Sequence, residues 1–170
     1  MKHLYLLRHA KSDWDEAYES DEERNLSDRG KKQTKALRNF LLDFKFQIDL
    51  AYVSPAVRTE RTYHALRKDM IRLPKPEFKP AIYEADAEDL LFLVHGVPEY
   101  VRSVLIVGHN PGLEEFATGL LRGNPERSLF SKFPTSALVG LQFAANTWKE
   151  VEWGKAALTL FWIPGQLGKE

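Results

Sequence analysis

The chain has 170 residues, and 24 lysines and arginines balance 24 aspartates and glutamates, so its formal net charge is zero. This balance argues against a general nucleic-acid binder, which usually carries a basic excess, and the lack of cysteine excludes disulfides and thiolate metal sites. The N-terminus has no signal-peptide pattern, and no apolar run approaches membrane-spanning length. We therefore expect a cytoplasmic protein with no nucleic-acid and no membrane partner, folded as a single domain over residues 1–170.

The first apolar run, residues 4–7, ends abruptly in Arg8 and His9 and is predicted to be a short buried strand. In an open α/β sheet, ligands gather at the carboxyl ends of the strands. Arg8 would bring a planar fork that fits phosphate or carboxylate, and His9 can serve as a base, a ligand or a nucleophile. On this stretch alone, a strand that happens to end in two polar residues is the simpler interpretation.

An acidic run follows this strand. Residues 13–23 contain seven acidic side chains and no basic one. Such a run is usually a solvated loop. Because it comes directly after the strand that carries His9, a second interpretation places it at the mouth of a site, where it would favour basic protein partners over free anionic metabolites.

The next strand–helix step carries an arginine. Ser27 or Asp28 is predicted to cap a first helix. A second buried strand over residues 49–53 stops at a Ser-Pro dipeptide, and residues 56–70 are predicted to form the following helix. Arg58 falls in the first turn of that helix, where free backbone N–H groups and the positive end of the helix dipole attract anions. The alternative is an ordinary surface arginine.

A third helix and a third strand supply two more candidates. Asp86 is predicted to cap the helix, with Asp89 completing a capping box. This leaves Glu84 in the preceding loop, where it is either a site residue or a solvated side chain. The β-branched run over residues 103–107 is predicted as a buried strand, and it ends in Gly108-His109-Asn110-Pro111. A second histidine thus stands directly after a strand.

The last third of the chain is predicted to add strands over residues 136–143 and 157–163, with residues 148–153 forming part of a hairpin with the latter. Alternation of strands and helices over most of the chain predicts an α/β fold. We expect a three-layer αβα sandwich, with a mostly parallel central sheet and helices on both faces.

The predicted strand ends form a cationic constellation. In this fold Arg8, His9, Arg58 and His109 meet at the carboxyl rim of the sheet, with Glu84 nearby. The chain shows no His-x-x-x-His and no aspartate cluster at ligand spacing, so we expect no metal and no cofactor. Such a pocket suits a dianionic phosphoryl group, and an imidazole can attack phosphorus to form a phosphohistidine.

Five stretches of the chain resemble the motifs of a known family. Leu7-Arg8-His9-Ala10, residues 54–62 and Gly108-His109-Asn110-Pro111 resemble the histidine phosphatase superfamily, whose founding signature is Arg-His-Gly. The short chain, Tyr83-Glu84-Ala85 and residues 133–137 resemble its SixA-like phosphohistidine phosphatase branch. The resemblance covers nearly the whole chain and implies a phosphoglycerate mutase-like fold.

The resemblance also implies a metal-independent mechanism. His9 attacks phosphorus and is transiently phosphorylated, and water then hydrolyses the phosphohistidine. Arg8, Arg58 and His109 hold the non-bridging oxygens, a role that His109 would serve better in its protonated form, as a donor. Ser12 is a further candidate for the phosphate pocket, or merely caps the loop.

One departure from the family pattern concerns the signature glycine. Ala10 stands in its place, and its methyl group is tolerable if the backbone there is not left-handed. The departure bears on substrate fit more than on chemistry.

The leaving group separates the possible substrates. A phosphohistidine protein releases an imidazole, which is easily protonated, whereas an alkoxide needs a positioned acid, for which Glu84 is the candidate. We therefore expect a phosphohistidine protein phosphatase, with a phosphatase of small phosphorylated metabolites as the first alternative. A non-catalytic phosphate-binding module is the second alternative, against which the intact set of two arginines and two histidines counts.

Overall fold

A six-stranded sheet with helices on both faces organises the chain. The computed structural model describes residues 1–15, 17–68, 72–123 and 132–165. No helix in these four ranges combines the length and the apolarity that crossing a membrane would require. In chain order the elements are β1 (Lys2–Arg8), α1 (Asp28–Phe44), β2 (Leu50–Val53), α2 (Val57–Arg67), β3 (Glu77–Phe78), α3 (Ala87–His95), β4 (Ser103–Gly108), α4 (Gly112–Leu120), β5 (Leu138–Phe143) and β6 (Ala157–Trp162).

The sheet is parallel on one side and antiparallel on the other. Its strands lie in the order β3-β2-β4-β1-β5-β6. The first four are parallel to one another, whereas β5 runs antiparallel to β1 and β6 antiparallel to β5. The mostly parallel sheet predicted from the sequence is therefore confirmed.

Side chains of the central strands alternate between two apolar layers, as the two-residue period of a strand requires. Helices α3 and α4 cover one face of the sheet, in a layer whose members include Leu4, Val104, Leu90 and Phe116. Helices α1 and α2 cover the other face, in a layer whose members include Leu7, Leu105, Leu37 and Leu66. Because both faces are covered, the central strands read as continuous apolar runs.

The register of the parallel strands brings their carboxyl ends to one level. Arg8 of β1 pairs with Gly108 of β4, and Val53 of β2 pairs with Val107 of the same strand. The ladder continues past β1, since the backbone N–H of His9 donates to the carbonyl oxygen of Gly108 at 3.1 Å. The residues that follow the three strands therefore meet at one edge of the sheet.

Two predicted helix starts are confirmed in detail. The side chain of Ser27 accepts a hydrogen bond from the backbone N–H of Gly30 at 3.1 Å, which makes Ser27 the N-cap of α1. Asp86 caps α3, and its side chain and that of Asp89 exchange hydrogen bonds with each other's backbone N–H groups. Such caps satisfy N–H groups that the helix itself cannot.

The predicted hairpin arm over residues 148–153 is wrong. Residues Trp148–Glu150 form a single 3₁₀ turn, and β6 pairs with β5 instead. The reason is Trp148, which is fully buried and whose indole Nε1 donates to the carbonyl oxygen of Val101 at 2.8 Å, so the chain turns inward. Helix α2 ends at Arg67, short of the predicted end, and residues 69–71 lie outside the described residues.

We expect Gly112→Ala to lower the free energy of unfolding by about 2 kcal/mol, because extra atoms in a well-packed site force backbone shifts. Gly112 is buried at the start of α4, and a Cβ there would overlap the carbonyl oxygen of Ala85, next to Glu84. Urea unfolding of both proteins measures the change. Gly96→Ala is the matched control, because its Cβ would lie 3.5 Å from the nearest atom, the carbonyl oxygen of Leu93. Equal effects of the two substitutions would contradict the close approach.

Candidate active site

His9 comes directly after β1 and is 7% exposed. Its Nδ1 lies 2.7 Å from the carbonyl oxygen of Ala10. Because a carbonyl can only accept, the ring proton is on Nδ1 and the lone pair is on Nε2. The backbone N–H of Ala10 donates to Oγ1 of Thr62 in α2 at 2.9 Å, which ties this loop to the helix. Ala10 does not have a positive φ, so its methyl group introduces no backbone strain.

Arg58, in the first turn of α2, joins the two histidines. Its Nε donates to Nε2 of His9 and its Nη2 to Nδ1 of His109, each at 3.3 Å. Since a guanidinium can only donate, Nδ1 of His109 accepts. The ring proton of His109 is then on Nε2, which donates to Oγ of Ser54 at 2.8 Å. The two imidazole centroids lie 5.4 Å apart, so the structure brings together three side chains from three separate stretches of the chain.

Arg8, the last residue of β1, adds a second guanidinium. Its Nη1 donates to the carbonyl oxygen of Phe133 at 3.0 Å. Its Nε is buried and has no hydrogen-bond partner within the described residues. A buried donor left unpaired is destabilising, so an anion bound beside Arg8 would supply what this N–H lacks.

Both imidazoles are neutral at pH 7. Burial, reinforced by the charges of His109, Arg58 and Arg8, lowers the pKa of His9 to about 3. Burial, together with the charge of Arg58, lowers the pKa of His109 to about 4. The protonated form, in which His109 would serve better as a donor, is therefore disfavoured in this structure, because a positive ring would be buried next to a guanidinium.

A cavity of about 330 Å³ opens beside Arg58 and His109, and Tyr83 and Glu84 form part of its wall. The ring of Tyr83 meets that of His109 edge to face, with centroids 5.3 Å apart. Glu84 has φ 59°, in the left-handed region that costs a residue with a side chain of order 1 kcal/mol. The structure thus places Glu84 on the same cavity as Arg58 and His109.

Ser12 is buried, and its backbone forms an isolated antiparallel bridge with Leu26. Like Arg8 and His9, it is not among the described residues that line the cavity. The bridge joins the loop after β1 to the segment that precedes α1. This position agrees with the structural alternative for Ser12, in which it holds the loop.

Sequence reasoning missed Asp21 as an individual site residue. Its Oδ2 accepts hydrogen bonds from Nη2 of Arg58 at 3.0 Å and from the hydroxyl of Tyr83 at 2.9 Å, and Asp21 also lines the cavity. The signal was the acidic run after β1, but composition does not tell which carboxylate of a run turns towards the protein. Ser54 was interpreted only as the end of β2, although its hydroxyl accepts from His109.

The arrangement has the chemistry of an anion site with a nucleophile. An oxygen placed between the imidazoles would meet the Nε and Nη2 donors of Arg58, and Nε2 of His9 would face the central atom of the anion. Within the described ranges, no three histidine or carboxylate side chains are grouped so as to hold a metal ion.

Comparison with known proteins agrees with this chemistry. Residues 4–91 match the sequence profile of the histidine phosphatase superfamily (branch 1). An uncharacterized protein of Mycobacterium leprae (strain TN) is 26% identical over 165 residues, which are 93% of this chain and 99% of that protein.

Two solved structures share the fold along nearly their whole length. A candidate phosphohistidine phosphatase SixA from Agrobacterium tumefaciens is 28% identical, with a TM-score of 0.81, over 96% of this chain and 98% of that one. The protein histidine phosphatase SixA, solved in complex with tungstate, is 25% identical, with a TM-score of 0.76, over 98% of this chain and 99% of that one. These matches confirm the predicted fold class.

We expect the free energy of unfolding to fall as the pH is lowered from about 6.5, the pKa of a histidine in an unfolded chain. The folded protein keeps His109 neutral down to about pH 4 and His9 to about pH 3, whereas the unfolded chain binds a proton at each ring. Acid therefore favours the unfolded state, and each histidine adds about 1.4 kcal/mol per pH unit to the slope between these limits. Urea unfolding from pH 7.5 to about pH 5 measures the slope.

In this series His9→Gln should reduce the slope of the free energy of unfolding against pH, because unfolding of the variant takes up about one proton fewer. His64→Gln, on an exposed position of α2, is the matched control. Slopes that are the same for the two variants would show that His9 does not carry this linkage.

Proposed function

The chain belongs to the histidine phosphatase superfamily (branch 1) and is a phosphatase, and we propose that it removes phosphoryl groups from phosphohistidine in proteins through a covalent intermediate on His9. One observation carries the mechanism: the lone pair of His9 is on Nε2, the nitrogen that faces Arg58. The likeness to the two SixA proteins, one of them a candidate phosphohistidine phosphatase, supports the substrate class.

His9 is the proposed nucleophile. Its Nε2 attacks phosphorus while the bond between phosphorus and the leaving group breaks, and the proton on Nδ1 stays in its hydrogen bond to Ala10. That hydrogen bond strengthens as positive charge develops on the ring. In the second step water attacks phosphorus, the bond from Nε2 to phosphorus breaks, and inorganic phosphate leaves with His9 restored.

Arg8, Arg58 and His109 are the proposed ligands of the non-bridging oxygens. Fixed donors in a buried site stabilise charge on these oxygens far better than water does, and they do so without reorganising during the reaction. A bound dianion would also favour the protonated form of the His109 ring, since an opposite charge within a few ångströms raises the pKa of a histidine. His109 would then turn from an acceptor for Arg58 into a donor to the phosphoryl group.

The leaving group favours a phosphohistidine substrate. The P–N bond of phosphohistidine breaks readily because imidazole is easily protonated, so the site needs no strong acid for this reaction. A second candidate function is the hydrolysis of small phosphorylated metabolites, and the observation that favours it is the position of Glu84 on the cavity wall. In that reaction the Glu84 carboxyl group would donate a proton to the departing alkoxide.

We expect His9→Ala to reduce turnover at least about a thousandfold, because no other side chain can take over a missing nucleophile. The assay follows ³²P from a phosphohistidine phosphocarrier protein, and acid-labile label should be trapped on wild-type protein quenched during turnover. His64→Ala is the control for loss of an exposed histidine. A His9→Ala protein with a near wild-type rate would refute the assignment, and a metabolite phosphate hydrolysed much faster than the phosphocarrier would favour the second candidate.

We expect Glu84→Gln to lower kcat for an alkyl phosphate about a hundredfold, the usual contribution of a general acid, and to leave kcat for an aryl phosphate within about threefold. The reason is that an aryl oxide leaves without a proton, whereas an alkoxide does not. Glu115→Gln is the matched control, since Glu115 is exposed on the same cavity wall. If Glu84→Gln affects both substrates equally, Glu84 is not the proton donor.

A further inference from the structure

Asp21 holds a different edge of the Arg58 guanidinium from the one that contacts the two imidazoles. The backbone carbonyl oxygen of Asp21 accepts from Nη1 of Arg58 at 2.9 Å, and its Oδ2 accepts from Nη2 at 3.0 Å. A guanidinium has a terminal edge, made by Nη1 and Nη2, and a lateral edge, made by Nε and Nη2. Asp21 therefore binds the terminal edge with two of its own oxygen atoms.

The lateral edge of Arg58 is the one that faces the chemistry. Its Nε is directed at His9 and its Nη2 at His109, both at 3.3 Å. These are long contacts for N–H groups, whose hydrogen bonds are usually near 2.9 Å. A phosphoryl oxygen would be a better acceptor at this edge than either ring, because it is charged.

The Asp21 carboxylate is itself fixed by its neighbours. The hydroxyl of Tyr83 donates to Oδ2 at 2.9 Å, and Nε of Arg24 lies 3.5 Å from Oδ1. Arg24 is anchored in turn, with its guanidinium 3.6 Å from the ring centroid of Trp14. Asp21 thus links the loop after β1 to the wall of the site, while its side chain remains 45% exposed.

We propose that Asp21 is a positioning residue of the phosphoryl site: by holding the terminal edge of Arg58 it directs the lateral edge at the space between His9 and His109. This inference rests on the proposed function, since it assigns Asp21 to the same reaction. The proposal gives Asp21, one member of the acidic run, a defined role. That role requires the acceptor oxygen atoms of Asp21 and a fixed position of its side chain.

In a rival account, the Asp21 carboxylate competes with the phosphoryl group for the donors of Arg58. A carboxylate 3.0 Å from Arg58 repels a dianionic substrate and occupies one of its donors. In that account removal of the carboxylate frees Arg58, tightens the binding of phosphate and does not lower kcat. In the positioning account removal lets the guanidinium rotate, so phosphate binding weakens and kcat falls. The two accounts therefore predict opposite signs for the same substitution.

The experiment compares Asp21→Ala, Asp21→Asn and Glu22→Ala with the wild-type protein. Glu22→Ala is the matched control, because it removes the same charge from the neighbouring exposed position. Three quantities are measured: kcat and KM with the phosphohistidine phosphocarrier and an aryl phosphate, the Kd of inorganic phosphate by calorimetry, and the ¹⁵N shift of Nε2 of His9, which reports whether that nitrogen still accepts a hydrogen bond.

Asp21→Ala is expected to lower kcat about tenfold, less than a lost oxyanion donor would, because the backbone contact to Nη1 survives the substitution. The Kd of phosphate should rise, and the ¹⁵N signal of His9 should move. Asp21→Asn keeps an acceptor oxygen and should retain kcat within about threefold of the wild type. Glu22→Ala should change none of the three quantities.

Tighter phosphate binding by Asp21→Ala, or a kcat equal to that of Glu22→Ala, would overturn the inference. If Asp21→Ala does not fold, Asp21→Glu replaces it, because this variant keeps the charge and displaces the acceptor oxygen: a kcat equal to that of Glu22→Ala with an unmoved ¹⁵N signal would overturn the inference equally. Failure of the proposed function is distinguishable, because wild-type protein and Glu22→Ala would then hydrolyse neither substrate, while the phosphate and ¹⁵N measurements still test Asp21.

Discussion

The parallel register of β1, β2 and β4 is the constraint on which the site depends. A slip of one residue would turn the side chains of a strand to the opposite face of the sheet. It would also move His9 by about 3.3 Å relative to His109, more than a hydrogen bond tolerates. Both faces of these strands are covered by apolar layers, and burial of each large apolar side chain there contributes about 1.5–3 kcal/mol to folding. The core thus fixes where the strand ends lie, whereas the polar contacts direct the side chains at those ends.

Several hydrogen-bond donors of the site have no acceptor, or only a distant one, within the described part of the protein. Arg8 has a buried Nε that lacks a partner within the described residues, and the lateral edge of Arg58 is bonded to the two rings only at 3.3 Å. The imidazoles remain neutral, because two further buried positive charges beside the guanidinium groups would raise the energy of the folded state. A phosphoryl group supplies the acceptors and the negative charge that this arrangement lacks, and its charge grows on the non-bridging oxygens where the donors are aimed.

Much of this site could be predicted from the sequence because its residues stand at ends of elements. Arg8, His9 and His109 close apolar runs, and Arg58 follows a Ser-Pro stop, so local signals fix their places on the sheet edge. The interpretation failed where long-range contacts decide: the turn at residues 148–150 follows from burial of Trp148, which no local pattern marks. The protonation state of His109 could not be predicted from the sequence either, since its pKa depends on burial and on Arg58, a residue distant in the chain.

Asp21 shows why a balanced net charge says little about a site. The chain as a whole is neutral, yet two guanidinium groups lie at the sheet edge with a carboxylate directly behind one of them. A phosphatase gains no kcat from binding the substrate and the transition state equally tightly, because uniform binding lowers KM without raising kcat. The two oxygen atoms of Asp21 on the terminal edge of Arg58 offer no donor to a phosphoryl group, and what they contribute is the direction of the lateral edge. Donors whose direction is fixed in the folded protein stabilise the charge that develops in the transition state without reorganising during the reaction, which is how a carboxylate can assist the transfer of an anion.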